Sequence, residues 1–332
     1  MTLGACAMLG SAAQDLRAAT LTPDRLAVIY NLDSAASTES AAFYAQQRAI
    51  PAGNVLGIHL PGAPVMTPAS FEVLRDAVMR RLPTEVQSLA LIWSQPYAVG
   101  CMSITTAFAA GYHAEFCEPG CGLTAKNPLF DADSWLPAET VGWWPAMLLP
   151  GDDRELARKL ILAGIAADGS QPRGTLYLVA TQDAARNVRA AGYDTARTTL
   201  TNRIAIRQLA APVSGEIPDV LGYFTGAARV EELPRLHFRP GAIADHLTST
   251  GGVLTGTDQT TVLAWLKQGA TGSYGTVSEP CNRREKFPDI AVLYDHYLRG
   301  DSLLEAYWKS VLMPGQGLFV GEPLARPFGP RH

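Results

Sequence analysis

The chain has 332 residues, of which 47% are hydrophobic and 17% charged, and its net charge is −4. That length carries one large α/β domain or two ordinary ones, and the low charged share excludes a disordered chain. The mildly acidic balance leaves no nucleic-acid footprint, and no apolar run reaches the ~18–20 residues of a membrane-spanning helix.

Residues 1–13 are uncharged, small and apolar, and read as the end of a secretory signal without its basic start. Leu3-Gly4-Ala5-Cys6 fits the short box that precedes a lipid-modified cysteine. Residues 1–20 are therefore expected to be a signal or lipoprotein remnant, with a lipid anchor at Cys6. Residues 21–330 are expected to form one large domain, divisible at 150/151, outside the cytoplasm in the periplasm or cell envelope.

Apolar runs and helical stripes then alternate. A strand at 26–30 leads to a helix at 37–48, stopped by Ile50-Pro51. A strand at 54–60 follows. Thr67 caps a helix to about residue 82, with Phe71, Leu74, Val78 and Leu82 at helical spacing. Residues 89–93 form a third strand. The rhythm breaks at 95–150, which holds Trp135, Trp143, Trp144 and three cysteines among many Pro and Gly residues. This is expected to be an irregular insertion on one edge of the sheet.

Regularity returns with a helix at 152–167, a strand at 175–180 and helices at 183–191 and 199–210. Strands at 219–224 and 242–246 precede a helix at 261–268 that Gly269 closes. A Gly-rich strand at 270–277, helices at 289–299 and 303–311, and a strand at 318–321 complete the chain. Repeated strand–helix alternation implies a doubly wound, mostly parallel sheet with helices on both faces.

Four cysteines remain once Cys6 is set aside: Cys101, Cys117, Cys121 and Cys281. Cys117 and Cys121 flank Pro119-Gly120, which permits a local bridge, but four cysteines allow three pairings. Disulfides place a protein outside the cytosol. His113, Cys117 and Cys121, with Cys101, are a rival zinc set, but their spacing is not that of a standard knuckle, and no metal is expected.

In open α/β sheets ligands sit beyond the carboxyl ends of the strands. This rule makes Asn31, Asp33, Ser94, Gln95, Thr225, His246, Ser249 and the run from Thr276 to Glu279 candidates for binding. The loop at 31–37 lacks the glycines of a phosphate cradle, and Asp33 would repel a phosphate. There is no nucleophile elbow, metalloprotease helix or Walker motif, so no cofactor is expected. Arg283-Arg284-Glu285-Lys286 is the densest charge cluster and reads as a solvated turn. His246 ends one strand and Cys281 follows the next, which would allow a thiolate–imidazole dyad oriented by Asp245 or Glu279.

Five stretches carry a resemblance: "YNLDSAASTESAAFYAQQRAIPAGNV", "WSQPYAVGCMSITTAF", "ADHLTSTGG", "GATGSYGTVSEPC", and "EAYWKSV" followed by "GEPLARPFG". They resemble a bacterial extracytoplasmic family of no established activity, found in organisms with the exosortase (PEP-CTERM) sorting system. The last third is similar, more distantly, to the gingipain and caspase-like cysteine peptidases. That resemblance implies a caspase-like, Rossmann-like three-layer scaffold. It also implies a His-Gly pair after one strand and a nucleophilic Cys after the next, both before the Gly-rich strand. Here Thr225-Gly226 stands at the first place, and 244–249 at the second holds no Cys. The resemblance thus favours the scaffold over the inherited dyad. The expected function is a strand-end pocket for a peptide or cell-envelope polymer. The alternatives are a cysteine hydrolase using His246 and Cys281, or an envelope assembly protein whose interface is the Trp-rich insertion.

Overall fold

The computed structural model describes residues 20–117, 121–256 and 258–330. The expected signal remnant, Cys6 and the Pro119-Gly120 turn lie outside these residues. Among them, ten strands form one sheet in the order β2-β1-β4-β7-β13-β12-β11-β10-β8-β9. The ranges are β1 Leu26–Asn31, β2 Val55–Ile58, β4 Ser88–Ile92 and β7 Ala146–Leu149. Next come β8 Thr175–Ala180, β9 Ala205–Ala210, β10 Ile217–Thr225 and β11 Leu236–His246. The last two are β12 Gly272–Thr276 and β13 Gly317–Gly321. Short strands β3 (Val65–Met66), β5 (Ala98–Val99) and β6 (Met102–Ser103) form a separate small sheet.

Every neighbouring pair in the large sheet is parallel except β12 and β13. The sheet is therefore two parallel halves, β2-β1-β4-β7-β13 and β12-β11-β10-β8-β9, joined back to front. Their carboxyl ends leave from opposite edges. One hydrophobic core runs through both halves, from Leu26 and Leu89 to Leu178 and Ile243. A second cluster gathers Tyr177, Tyr223, Ala244 and Trp265 on one face of the second half.

Thr67 caps its helix as expected, whereas the first helix, expected from Ser37, starts at Ala35 behind a Ser34 cap. Ser34, Thr67, Asp153, Asp289 and Ser302 cap helices α1 (Ala35–Gln47), α2 (Pro68–Met79), α5 (Arg154–Ala167), α8 (Ile290–Leu298) and α9 (Leu303–Ser310). Each of these side chains accepts a hydrogen bond from a first-turn amide, as orphan helix donors require. Helices α3 (Ile104–Ala110), α4 (Pro137–Thr140), α6 (Tyr193–Thr199) and α7 (Val262–Gln268) are shorter. Gly269 closes α7 with φ 124°, a conformation that a Cβ would strain.

Three expectations are corrected. The stretch 199–210 is not a helix: α6 ends at Thr199 and 205–210 is the edge strand β9, paired with β8. Its Ala, Arg, Gln and Leu residues are good helix formers, but pairing overrides propensity at a sheet edge. The helix expected at 183–191 is a 3₁₀ segment, Asn187–Gly192. The irregular 95–150 stretch is not confined to an edge. It ends in β7, buried between β4 and β13, and α3 packs on β7 and β13.

The disulfides pair Cys101 with Cys117 and Cys121 with Cys281, not Cys117 with Cys121. The second staples Cys121 to the segment that follows β12, and the first closes a loop within 101–117. With its three cysteines oxidised, the alternative zinc set has no thiolates to offer. No helix among the described residues is long and apolar enough to cross a membrane.

Candidate functional site

The strand-end residues divide between the two edges. On the first, Asn31, Asp33, Ser94 and Gln95 follow β1 and β4, where the strand order reverses and a ligand crevice is expected. Here the crevice is tied off. Asp152 accepts from Ser34 Oγ at 2.7 Å and from the Ser94 amide at 2.8 Å. Asn31 Oδ1 accepts from the Asp33 amide, and the Asn31 amide donates to Ser37 Oγ. Asp33 does more than turn the chain: its Oδ1 lies 2.9 Å from His59 Nδ1.

The opposite edge is closed in the same way. Order reverses again between β8 and β10, and there Thr181 Oγ1 donates to the Gly226 carbonyl at 2.6 Å. A Cβ on Gly226 would sit 2.0 Å from the Arg186 carbonyl, so the 183–187 loop lies directly on it. Thr225 is buried, and its carbonyl accepts from Leu247. Thr276 Oγ1 donates to the carbonyls of Thr248 and Ser249 at 3.0 Å. A Cβ on Gly252 would meet the Gly275 carbonyl at 2.5 Å. The Thr-Ser-Thr-Gly-Gly stretch is thus a lid pressed against β12, and its glycines permit the backbone approach.

His246 lies under that lid, 0% exposed. Trp265 Nε1 donates to its Nδ1 at 3.0 Å, so the ring is neutral with its proton on Nε2. Burial drives its pKa down to about 3, against the pull of the Thr260 carbonyl; Arg189 and Arg186 lower it further. Asp245, the preceding residue on β11, points to the other face and pairs with the buried Arg189. Burial raises the Asp245 carboxyl and Arg189 opposes the rise. Asp245 therefore does not orient His246. Glu279 is exposed, and its Oε1 accepts from the Cys281 amide at 2.7 Å. Cys281 is bonded to Cys121 and carries no thiol. The four dyad candidates are thus held in separate structural roles.

The open feature lies elsewhere. A groove of about 650 Å³ runs between α2 and the outer edge of β2. From α2 it is lined by Ser70, Val73, Leu74 and Ala77, one helical stripe, with Arg81 just past the helix end. Opposite stand Ile58, His59, Pro61, Val65 and Met66. Val73 is 73% exposed and Val65 43%. The opposite stripe of α2 is spent on the core: Phe71 meets Phe108 edge-on at 5.1 Å. The Leu32 amide donates to the Ile58 carbonyl, while Arg81 Nη1 donates to that of Gly57 at 3.1 Å. Gly57 therefore turns its backbone away from β1, to an edge that pairs with no other strand among the described residues.

The sequence reading missed this groove. Val73 falls outside the Phe71–Leu74–Val78–Leu82 stripe, and an apolar residue off the core face was the available signal. His59 could have been found by the strand-end rule applied to β2. Comparison with protein-family models, with curated proteins and with solved structures finds no match to this chain.

Proposed function

We propose that this protein is an extracytoplasmic binding domain that takes an apolar peptide segment, in extended form, into the groove between α2 and β2. The observation that carries the reading is the pairing of an open strand edge with an uncovered apolar helix stripe. The sheet stops one strand short of the helix beside it. An added strand pairs with the outward amides of Gly57 and His59, takes the Gly57 carbonyl over from Arg81, and buries Val73 and Val65, as in strand-addition recognition. Helix α2 has 12 residues, about 18 Å of length, which matches about five residues of extended chain. No Trp or Tyr lines the groove to stack on sugar rings, which favours a peptide over a saccharide polymer.

Two disulfides support a location in an oxidising compartment, in keeping with the resemblance to extracytoplasmic proteins of exosortase-bearing bacteria. The caspase-like scaffold is proposed without its chemistry, because the buried neutral His246 and the oxidised Cys281 form no nucleophile–base pair. The assembly reading is weakened at its own interface. Trp143 packs on Phe116 and Trp308, and Trp144 Nε1 donates to the Val86 carbonyl.

The test is fluorescence anisotropy of a library of labelled apolar hexapeptides against the oxidised protein. Binding is expected for β-branched sequences, weakened about tenfold or more by Val73→Glu and by a proline at the centre of the peptide. Absence of binding across the library, or binding indifferent to Val73→Glu, would contradict the reading.

A further inference from the structure

The charge cluster at 283–286 is solvated only in part: Arg284 is exposed. Lys286 is fully buried and Arg283 Nε donates to the Cys121 carbonyl at 2.7 Å. Arg284 and Glu285 line a cavity of about 260 Å³. Its apolar walls include Phe130, Phe287 and Leu312. Four charged residues also line it: Arg189, Arg284, Glu285 and Asp289.

These charges are not spent on one another. Arg284 and Glu285 make no ion pair among the described residues. Asp289 uses Oδ1 to accept from the Ala291 and Val292 amides. Arg189 is 4% exposed; its Nη1 holds Asp245, Nη2 donates to the Pro288 carbonyl at 3.1 Å, and Nε has no hydrogen-bond partner. With the Arg189 charge taken by Asp245, a simple anion would meet two carboxylates here, and a simple cation the unpaired guanidinium of Arg284. A small molecule carrying both charges meets a partner for each. The volume lies just below the ~300–1,000 Å³ of drug-sized pockets, so the ligand is of single-residue size.

We propose that this cavity binds a free α-amino acid with an apolar side chain. Its carboxylate is held by Arg284 over the Arg189 floor, its ammonium by Glu285 and Asp289, and its side chain by Phe130, Phe287 and Leu312. The site shares no residue with the β2 groove, so either reading can fail without the other.

The experiment is calorimetric titration of the oxidised full chain with L-leucine and L-phenylalanine. N-acetyl-L-leucine and L-leucinamide serve as controls lacking one charge each. Saturable binding is expected for at least one free amino acid, weakened about tenfold or more by either block. Arg284→Ala and Glu285→Gln, both at solvent-facing positions, should each weaken it about as much while leaving the thermal unfolding midpoint in place. No heat from either amino acid up to about 10 mM would overturn the proposal. So would binding that both blocked forms retain, or that neither variant changes.

Discussion

Thr276, the last residue of β12, pairs with Gly317, the first of β13, in antiparallel register. That pairing turns one half of the sheet against the other and sends the two sets of strand ends to opposite edges. The strand-end residues therefore cannot converge on one pocket, although each sits where its own strand ends.

The junction is also a packing constraint. A Cβ on Gly317 would fall 1.7 Å from Tyr274 Oη, and that hydroxyl donates to the buried Lys286 carbonyl at 2.6 Å. Gly317→Ala should cost about 2–3 kcal/mol in urea unfolding, because Tyr274 has no free volume to retreat into. Gly53→Ala, with nothing within 4 Å of the added carbon, should stay within about 0.5 kcal/mol of the parent. Equal costs would contradict the register at the junction.

What the sequence disclosed follows from how local the physics is. The Thr67 cap and the Gly269 stop depend on a few neighbouring residues and were readable. So were the apolar strands expected at 26–30 and 175–180. β7 was not, because Ala-Met-Leu-Leu lacks β-branched residues and is buried on both faces, which removes any alternation. The reversal at Thr276 and Gly317 was also unreadable, since strand direction depends on which distant strand is the neighbour. The burial of His246 depends on Trp265 and the lid at 248–252. The groove needs an edge strand and a helix stripe to be seen together.

Arg48 sits in a buried ionic network. Its Nε donates to Glu322 Oε1 at 2.9 Å, and it also pairs with Asp168. Burial raises the Glu322 carboxyl, and Arg48 opposes the rise. Arg48→Met should cost about 3–5 kcal/mol by leaving buried carboxylates without their cation. Removing the exposed Arg154, paired with Glu39, should cost under about 1 kcal/mol in the same denaturant series.

The His246 environment sets a pH dependence. Its folded pKa of about 3 lies below the ~6.5 of an unfolded histidine. Between those values the unfolded chain takes up a proton that the folded chain refuses. The stability from this residue is complete above pH ~6.5 and is lost as pH falls toward ~3, by up to about 1.4 kcal/mol per pH unit. Unfolding free energies of the parent should therefore fall more steeply over that window than those of His246→Gln. Parallel profiles would show that His246 is not a buried neutral ring.

The cysteines separate the binding and hydrolase readings. Peptide mapping without reductant should recover Cys101–Cys117 and Cys121–Cys281, with no iodoacetamide label on any of the four. Cys121→Ser with Cys281→Ser should cost about 2–5 kcal/mol, because the bridge closes a loop across 160 positions. A rapidly alkylated Cys281, slowed by His246→Gln, would restore the hydrolase.

Amide hydrogen exchange with and without the tightest-binding hexapeptide tests the groove most directly. If the peptide adds a strand to β2, the amides of Gly57 and His59 should be slowed about tenfold or more at saturation, together with the 63–66 segment. Slowing absent from β2, or confined to 246–252 and the segment after β12, would place the peptide at the strand-end cluster and contradict the account.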